Sequence, residues 1–151
     1  GSVNHLGELS LVSIKLCDSD TSILGCVPVL SELRPNIPVS DLLPRIKRQM
    51  DSGYHLASLE DHSEVKAVAG FRFGDFLAWG RIMYVDDLVV KESERGRGYG
   101  GQLLEWLKNH ARENGCDQFH LDSGTHRVDA HRFYIEHGME ITSYHFGMKL
   151  K

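Results

Sequence analysis

The chain has 151 residues, with 17 Lys and Arg against 21 Asp and Glu, which gives a formal charge of −4 at pH 7. This length predicts one domain that can bury a full core without a metal or a disulfide to stabilise it. Hydrophobic residues make up 41% and charged residues 25% of the chain, a globular composition that excludes intrinsic disorder. The mild acidity gives no electrostatic signature of nucleic-acid binding.

Cysteine usage and hydropathy predict where the protein resides. Cys17, Cys26 and Cys116 are an odd number without CxxC spacing, which favours reduced thiols over a disulfide framework or a zinc site. No apolar run approaches the roughly 18 residues of a membrane span, and no signal peptide opens the chain. We therefore expect a cytoplasmic protein with no membrane partner. Gly1 and Ser2 look like a tag remnant, and residues 3–151 are predicted to form a single domain.

The first part of the chain predicts one strand and two helices. Residues 9–16 alternate apolar and polar side chains, which is typical of a half-buried strand. The stretch 18–20 can cap a helix, which Pro28 is expected to kink or shorten. After a loop over residues 33–38, Ser40 is predicted to cap the second helix.

The rest of the chain predicts a mixed sheet with two more helices. The expected elements are strands over residues 54–60, 65–73 and 81–90, a helix over 98–114, a strand over 118–122, a helix over 128–137, and one bent or two short strands over 139–150. The three consecutive strands can pair antiparallel, whereas the later strand–helix–strand unit is a parallel crossover. The expected fold class is therefore α/β (α+β), a mixed, mostly antiparallel sheet flanked by helices.

The most specific feature is the glycine-rich turn Arg95-Gly96-Arg97-Gly98-Tyr99-Gly100-Gly101, between a predicted strand and a long helix. Glycines let the backbone approach a ligand closely, and the unpaired N–H groups at a helix start favour a phosphate. The turn also matches GxGxxG, with Asp122 as the acidic residue of a dinucleotide fingerprint. Because the polar stretch 91–94 separates the glycines from the strand and few residues follow them, an NAD-binding domain is the weaker alternative.

At these residues the chain resembles the GCN5-related N-acetyltransferase (GNAT) family. The family signature [QR]-x-x-G-x-[GA] is matched by Arg95, Gly98 and Gly100. Residues 84–90 resemble the family's central strand, and residues 130–139 resemble its A-x-x-F-Y-x-x-x-G-F segment. The resemblance implies an acyl-CoA N-acyltransferase-like fold and transfer of an acetyl group from acetyl-coenzyme A to a primary amine, by direct attack in a ternary complex.

The resemblance also implies which residues hold the cosubstrate. The backbone of Leu88, Val89 and Val90 is expected to pair with the pantetheine arm, and the glycine-rich turn is expected to bind the pyrophosphate. Tyr134 matches the family's tyrosine that protonates the departing thiolate. One departure is Arg127, at a position where the family often has an asparagine.

Acid–base chemistry is needed because an alkylamine with a pKa near ~10.4 is almost entirely protonated at pH 7. Asp86 and Asp87 are adjacent on a predicted strand, so their side chains are expected on opposite faces, with one facing the cleft. That carboxylate could act as a base, directly or through a water, or bind the cationic amine. A pair of acids with structural hydrogen bonds is the alternative, and His120, His126 or His145 could relay the proton instead.

The acceptor is not encoded in any readable motif, so a small-molecule or peptide amine is expected. In the family, the loop over residues 33–38 helps to select it. Phe73, Phe76 and Trp79 could line an acceptor pocket, form a hydrophobic hairpin tip or provide the surface of a homodimer. No HExxH or comparable spacing is present, so no metal is expected. The alternative from another class is a non-catalytic acyl-CoA-binding or sensor module.

Overall fold

The structure is a computed structural model that describes residues 11–151. The elements in chain order are β1 (Ser13–Leu16), α1 (Asp20–Leu33), α2 (Val39–Met50), β2 (His55–Asp61), β3 (Glu64–Phe76), β4 (Gly80–Val90), a 3₁₀ turn (Glu92–Glu94), α3 (Tyr99–Glu113), β5 (Gln118–Leu121) and α4 (Val128–Glu136). The strands form one sheet in the order β1-β2-β3-β4-β5, and the first four pair antiparallel. The predicted fold class is confirmed.

Two details of the first helices differ from the sequence prediction. Helix α1 is capped by Ser19, which forms a capping box with Ser22, and it continues past Pro28 to Leu33. Pro28 does not shorten the helix, because buried side chains on both sides of it hold this segment against the sheet. The predicted cap at Ser40 is also wrong, since α2 begins at Val39, its N-cap is Pro38, and no side chain caps the helix.

Helices cover both faces of the sheet. On one face, α1 and α2 enclose a core cluster that includes Ile23, Leu30 and Val68. On the other face, α3 packs against β3 and β4 and buries Leu103 and Leu107 completely. The central strands are therefore buried on both sides, which makes them a rigid base for the polar groups at their ends.

The described chain divides into two compact units, one that ends at His120 and one over Leu121–Lys151. Within the second unit, residues 139–151 form no strand, and Tyr144 and Phe146 are exposed. The strands predicted over residues 139–150 are therefore absent. Apolar and polar residues do alternate in this segment. A strand also needs a hydrogen-bonded neighbouring strand, and in residues 11–151 this segment has none. The predicted strand over residues 9–16 lies partly outside the described residues, as do Gly1 and Ser2.

No helix within residues 11–151 combines the length and the apolar character needed to cross a lipid bilayer. Cys17, Cys26 and Cys116 are free thiols. The described residues contain no group of three or more His, Cys, Asp or Glu side chains placed to hold a metal ion.

Candidate active site

A cavity of 420 Å³ lies where α1, α2 and the middle of β4 meet. Its apolar wall comes mainly from helix side chains, namely Leu30, Ile37, Leu42 and Ile46. Its polar wall comprises Arg34, Arg45, Gln49, Tyr54, Tyr84, Asp86 and Asp87. Every one of these residues belongs to the unit that ends at His120. An apolar pocket with a few converging polar groups is the usual form of a small-molecule site.

A β-bulge turns two carboxylates toward this cavity. Gly70 pairs with Asp87 and Phe71 pairs with Val85, so Asp86 is an extra residue in β4 with no partner in β3. A bulge breaks the alternation of side chains, and both Asp86 and Asp87 therefore line the same cavity. The expectation that they point to opposite faces is wrong for this reason.

Asp87 is fully engaged by hydrogen bonds. Its Oδ1 accepts from Arg34 Nε and Nη2 at 2.9 and 2.6 Å. Its Oδ2 accepts from the Tyr54 hydroxyl at 2.7 Å. Burial and the charge of Asp87 raise the pKa of Tyr54, so the phenol stays protonated and continues to donate. Gly70 makes room for this contact, because a Cβ there would overlap the Tyr54 ring.

Only one of the two carboxylate oxygens of Asp86 has a hydrogen-bond donor among the described residues. Its Oδ2 accepts from Arg72 Nε at 2.7 Å, whereas its Oδ1 is buried with no hydrogen-bond partner among the described residues. Arg72 is itself held by Gln49 Oε1 at 2.9 Å and lies over the Tyr54 ring. Burial raises the pKa of Asp86 by more than the hydrogen bond from Arg72 lowers it. The site thus contains one carboxylate oxygen that still needs a donor.

The glycine-rich turn leads into the start of α3. Gly98 is the N-cap with φ of 83°, Gly96 has the same φ, and no side chain caps the helix. The first intrahelical bond runs from the Gln102 N–H to the Gly98 oxygen, so the preceding N–H groups have no partner within the helix. A Cβ added at Gly96 or Gly98 would meet no atom within 4 Å, so the space beside the turn is open. The turn therefore has the open space and the unpaired N–H groups that binding of a phosphate group requires.

The side chains of the glycine-rich turn differ in whether they are free to contact a ligand. Tyr99 is buried and its hydroxyl donates to Asp61 Oδ2 at 2.6 Å, so only its backbone is available to a ligand. Arg97 Nε lies 3.2 Å from Glu94 Oε2. Within the described residues, the Arg95 side chain forms no ion pair. Arg95 is accordingly the less restrained of the two cations.

Within residues 11–151, the last residues of β4 pair with a neighbouring strand on one side only. Leu88, Val89 and Val90 pair with β3 on one side. On the other side, the Asp117 N–H donates to the Arg81 oxygen at 2.7 Å, which places the start of β5 beside the start of β4. With four residues against the eleven of β4, β5 is too short to reach Leu88.

In the second unit, Tyr134 lies on α4 beside Phe133, with their ring centroids 5.4 Å apart. Burial raises the pKa of Tyr134 by more than the positive charge of Arg127 lowers it. The hydroxyl therefore carries its proton at neutral pH. Arg127 is the N-cap of α4 and forms no side-chain cap there.

The aromatic residues near the β3–β4 turn do not line the cavity. Phe76 and Trp79 are 48% and 39% exposed at the hairpin tip, and His120 packs against Trp79 with ring centroids 4.2 Å apart. Phe73 instead contacts Phe71. Phe76 and Trp79 thus lie at an exposed hairpin tip, whereas Phe73 lies within the paired part of β3, and their role as an acceptor pocket stays a prediction. His145 lies 3.6 Å from Asp122 within the second unit.

Comparison with known proteins identifies the family. The model of the acetyltransferase (GNAT) family matches residues 26–139. An uncharacterized N-acetyltransferase of Bacillus subtilis, YhdJ, is 33% identical over 90% of this chain and 97% of its own length. The chain therefore belongs to the GNAT family and is an N-acetyltransferase. The predicted family and enzyme class are confirmed.

Two further similarities are informative. An aminoalkylphosphonate N-acetyltransferase of Salmonella typhimurium is 37% identical over 41% of this chain and 40% of its own length. An aminoglycoside N-acetyltransferase solved in complex with CoA superposes with a TM-score of 0.80 at 15% identity, over 94% of this chain and 96% of its own. The second similarity supports the fold alone.

Sequence reasoning missed the residues that surround the two aspartates. Arg34, Tyr54 and Arg72 were not singled out, although they hold Asp86 and Asp87 in place. One signal was available. Arg72 is a charged residue near the end of the apolar run predicted as a strand, and a charge in such a run usually has a partner. Arg45 carried no comparable signal, because surface helices are rich in arginine.

Proposed function

We propose that this enzyme transfers an acetyl group from acetyl-coenzyme A to the primary amine of a small molecule held in the cavity, by direct attack in a ternary complex. The observation that carries the proposal is Asp86, which lines a cavity of 420 Å³ and whose buried Oδ1 has no hydrogen-bond partner among the described residues. That volume lies at the low end of the ~300–1,000 Å³ typical of ligand pockets, which favours a small amine over a peptide. The name of the Salmonella relative is consistent with such an acceptor.

Acetyl-coenzyme A would supply the acetyl group as a thioester. The glycine-rich turn would hold the pyrophosphate through its backbone and through two arginine side chains. The backbone groups are those of Gly96, Gly98, Tyr99, Gly100 and Gly101, and the side chains are those of Arg95 and Arg97. The edge of β4 that is unpaired within residues 11–151, at Leu88, Val89 and Val90, would hold the pantetheine arm as an added strand does. The open space at the turn and the short β5 support this assignment.

We assign the acid–base roles as follows. Asp86 receives the cationic amine and accepts its proton, directly or through a water, because its Oδ1 has no other donor. Asp87 positions the site, because Arg34 and Tyr54 already occupy both of its oxygens. Tyr134 gives a proton to the departing thiolate, which its protonated state at neutral pH allows.

We further propose that residues 3–151 act as one domain and that the protein works in the cytoplasm. The family match supports the first point, because it runs from residue 26 to residue 139 and so includes parts of both compact units. The three free thiols support the second.

A ligand-binding and turnover experiment tests the function. Acetyl-coenzyme A should raise the melting temperature and NAD should not, because residues 91–94 separate the glycines from β4, unlike the turn of an NAD-binding domain. Thiol release should then accelerate with amines from a panel of amino acids, polyamines, aminoglycosides and peptides. Stabilisation by acetyl-coenzyme A without any amine-dependent thiol release would indicate a binding module instead. Stabilisation by NAD alone would contradict the cosubstrate assignment.

A further inference from the structure

The cavity contains a positive charge that the proposed chemistry does not use. Arg45 lines the cavity from α2, and neither an ion pair nor a hydrogen bond joins its guanidinium to another residue of the described chain. Asp41 lies one turn earlier on the same helix, at a spacing that allows an ion pair, yet the two side chains are not paired. Arg45 is therefore available to a bound molecule.

The other arginine of the cavity cannot take the same role. Arg34 is held in two bonds to Asp87 Oδ1 and in a third to the Asp86 backbone oxygen at 3.1 Å. Its charge is balanced by Asp87, and its Nε and Nη2 groups already donate to acceptors of the protein. Arg72 is likewise balanced by Asp86 Oδ2. Among the cationic side chains at the cavity, Arg45 is the one without a counter-ion in residues 11–151.

The cavity thus offers two unmet requirements of opposite kind. Asp86 Oδ1 is buried without a donor in residues 11–151, and the guanidinium of Arg45, an exposed residue of α2, has no anionic partner there. A guanidinium binds carboxylate or phosphate oxygens through two parallel hydrogen bonds, which gives both affinity and orientation. The apolar wall of the same cavity, which includes Leu42 and Ile46, suits a short aliphatic spacer.

We propose that the acceptor is a small zwitterionic amine, with its ammonium at Asp86 and its carboxylate, phosphate or phosphonate at Arg45. This inference rests on the proposed function, since it names the class of amine that the same cavity takes. The anion orients the molecule so that its amine end reaches β4, where the carboxylate pair lies. An amine of the same length without an anionic group would not be oriented in this way and would bind more weakly.

Paired acceptors test the proposal on the native enzyme. Aminocarboxylates of two to six carbons are each compared with the corresponding neutral amide, and aminoalkylphosphonates of the same lengths form a second series. At one chain length or more, the acid should exceed its amide at least about 10-fold in kcat/KM, because a charge-assisted bidentate contact is lost in the amide. The two series distinguish a carboxylate from a phosphonate as the natural anion. Amides that equal their acids at every length would overturn the proposal.

Two variants then connect the preference to its residue. Arg45→Gln should raise KM for the preferred acid about 10-fold or more, leave kcat largely unchanged and leave the amide unaffected. Arg48→Gln, an exposed arginine on the same helix that does not line the cavity, should behave like the native enzyme. An Arg45→Gln variant that keeps the full preference for acids would overturn the assignment of the anion to Arg45.

A binding measurement separates this proposal from the proposed function. Calorimetric titration of the preferred acid into the enzyme with CoA, which carries no acetyl group, should show binding that Arg45→Gln weakens. If amines are acetylated but acids have no advantage in either measurement, the zwitterion proposal fails and the acetyltransferase function stands. If acetyl-coenzyme A does not bind and no amine reacts, the proposed function itself fails.

Discussion

Two adjacent aspartates of one strand differ because of their hydrogen bonds. Asp87 has donors on both oxygens, from Arg34 and Tyr54, and so behaves as a fixed anion. Asp86 has one donor and one buried, unpartnered oxygen. Chemical identity therefore does not decide which of the two acts in catalysis. We propose Asp86 as the catalytic residue because the surrounding side chains leave one of its oxygens without a donor among the described residues.

The Asp86→Asn variant should lose about 10²-fold in kcat/KM, the lower range for removal of a general base. Burial raises the pKa of Asp86, so the native carboxylate becomes protonated at a higher pH than an ordinary aspartate does. Activity should be lost at that same pH, because the protonated group cannot accept a proton. The pH–rate profile should therefore lose its acidic limb in the variant.

Thermal unfolding provides the control for this variant. Because the pKa of Asp86 is raised in the folded state, this group contributes most to the free energy of unfolding at low pH, where it is protonated. That contribution falls as pH rises from the ordinary aspartate range through the raised pKa. The asparagine should therefore not lower the melting temperature at pH 7. Asp75→Asn, at an exposed residue in the same sheet, should retain native activity. Native kcat/KM in Asp86→Asn would assign the base to a histidine or to solvent.

The Tyr134→Phe variant should lower kcat about 10²-fold with little change in either KM. The ring and its contact with Phe133 remain, and only the hydroxyl is removed. Because burial raises the pKa of Tyr134, the hydroxyl is active until well into the basic range, and the basic limb should shift in the variant. An unchanged kcat and an unchanged basic limb would show that the tyrosine only packs.

At the scale of elements, the turn before α3 combines open space with two arginines of unequal freedom. Arg95→Gln should weaken CoA binding by ~1–3 kcal/mol, the range for a charge-assisted hydrogen bond to phosphate. Arg97→Gln should have a smaller effect, because Arg97 is already paired with Glu94. Calorimetry at low and high salt measures both. Arg112→Gln, at the far end of α3, is the matched control. Affinities that respond neither to the variants nor to salt would contradict the assignment.

The sequence predicts these elements well where the local pattern is strong. The glycine-rich turn, α3, β2 and β3 lie within a few residues of their predicted bounds. The errors occur where tertiary contacts decide. Pro28 remains inside a helix that packing stabilises, and the bulge at Asp86 depends on its pairing with Gly70 and Phe71. Neither contact is visible in a local window of sequence.

At the scale of the whole molecule, the exposed apolar tip of the β3–β4 hairpin bears on assembly. Leu77 at this tip is fully exposed, between Phe76 and Trp79. The homodimer expected from the sequence stays a prediction, and light scattering at several concentrations would measure it. If the tip forms the interface, Leu77→Asp should shift the mass toward that of one chain, because a buried charge destabilises an interface. A native protein with the mass of one chain at every concentration would exclude the dimer.

The β-bulge of β4 also suggests how this site could arise in evolution. Asp86 is the extra residue between the pairs Val85–Phe71 and Asp87–Gly70, so a strand without it would keep the same pairing on both sides. Tyr84 and Asp87 would still line the cavity, and the remaining side chains would keep their faces. Gain or loss of a single codon at this position could therefore add or remove the proposed base while the strand pairs on both sides are kept.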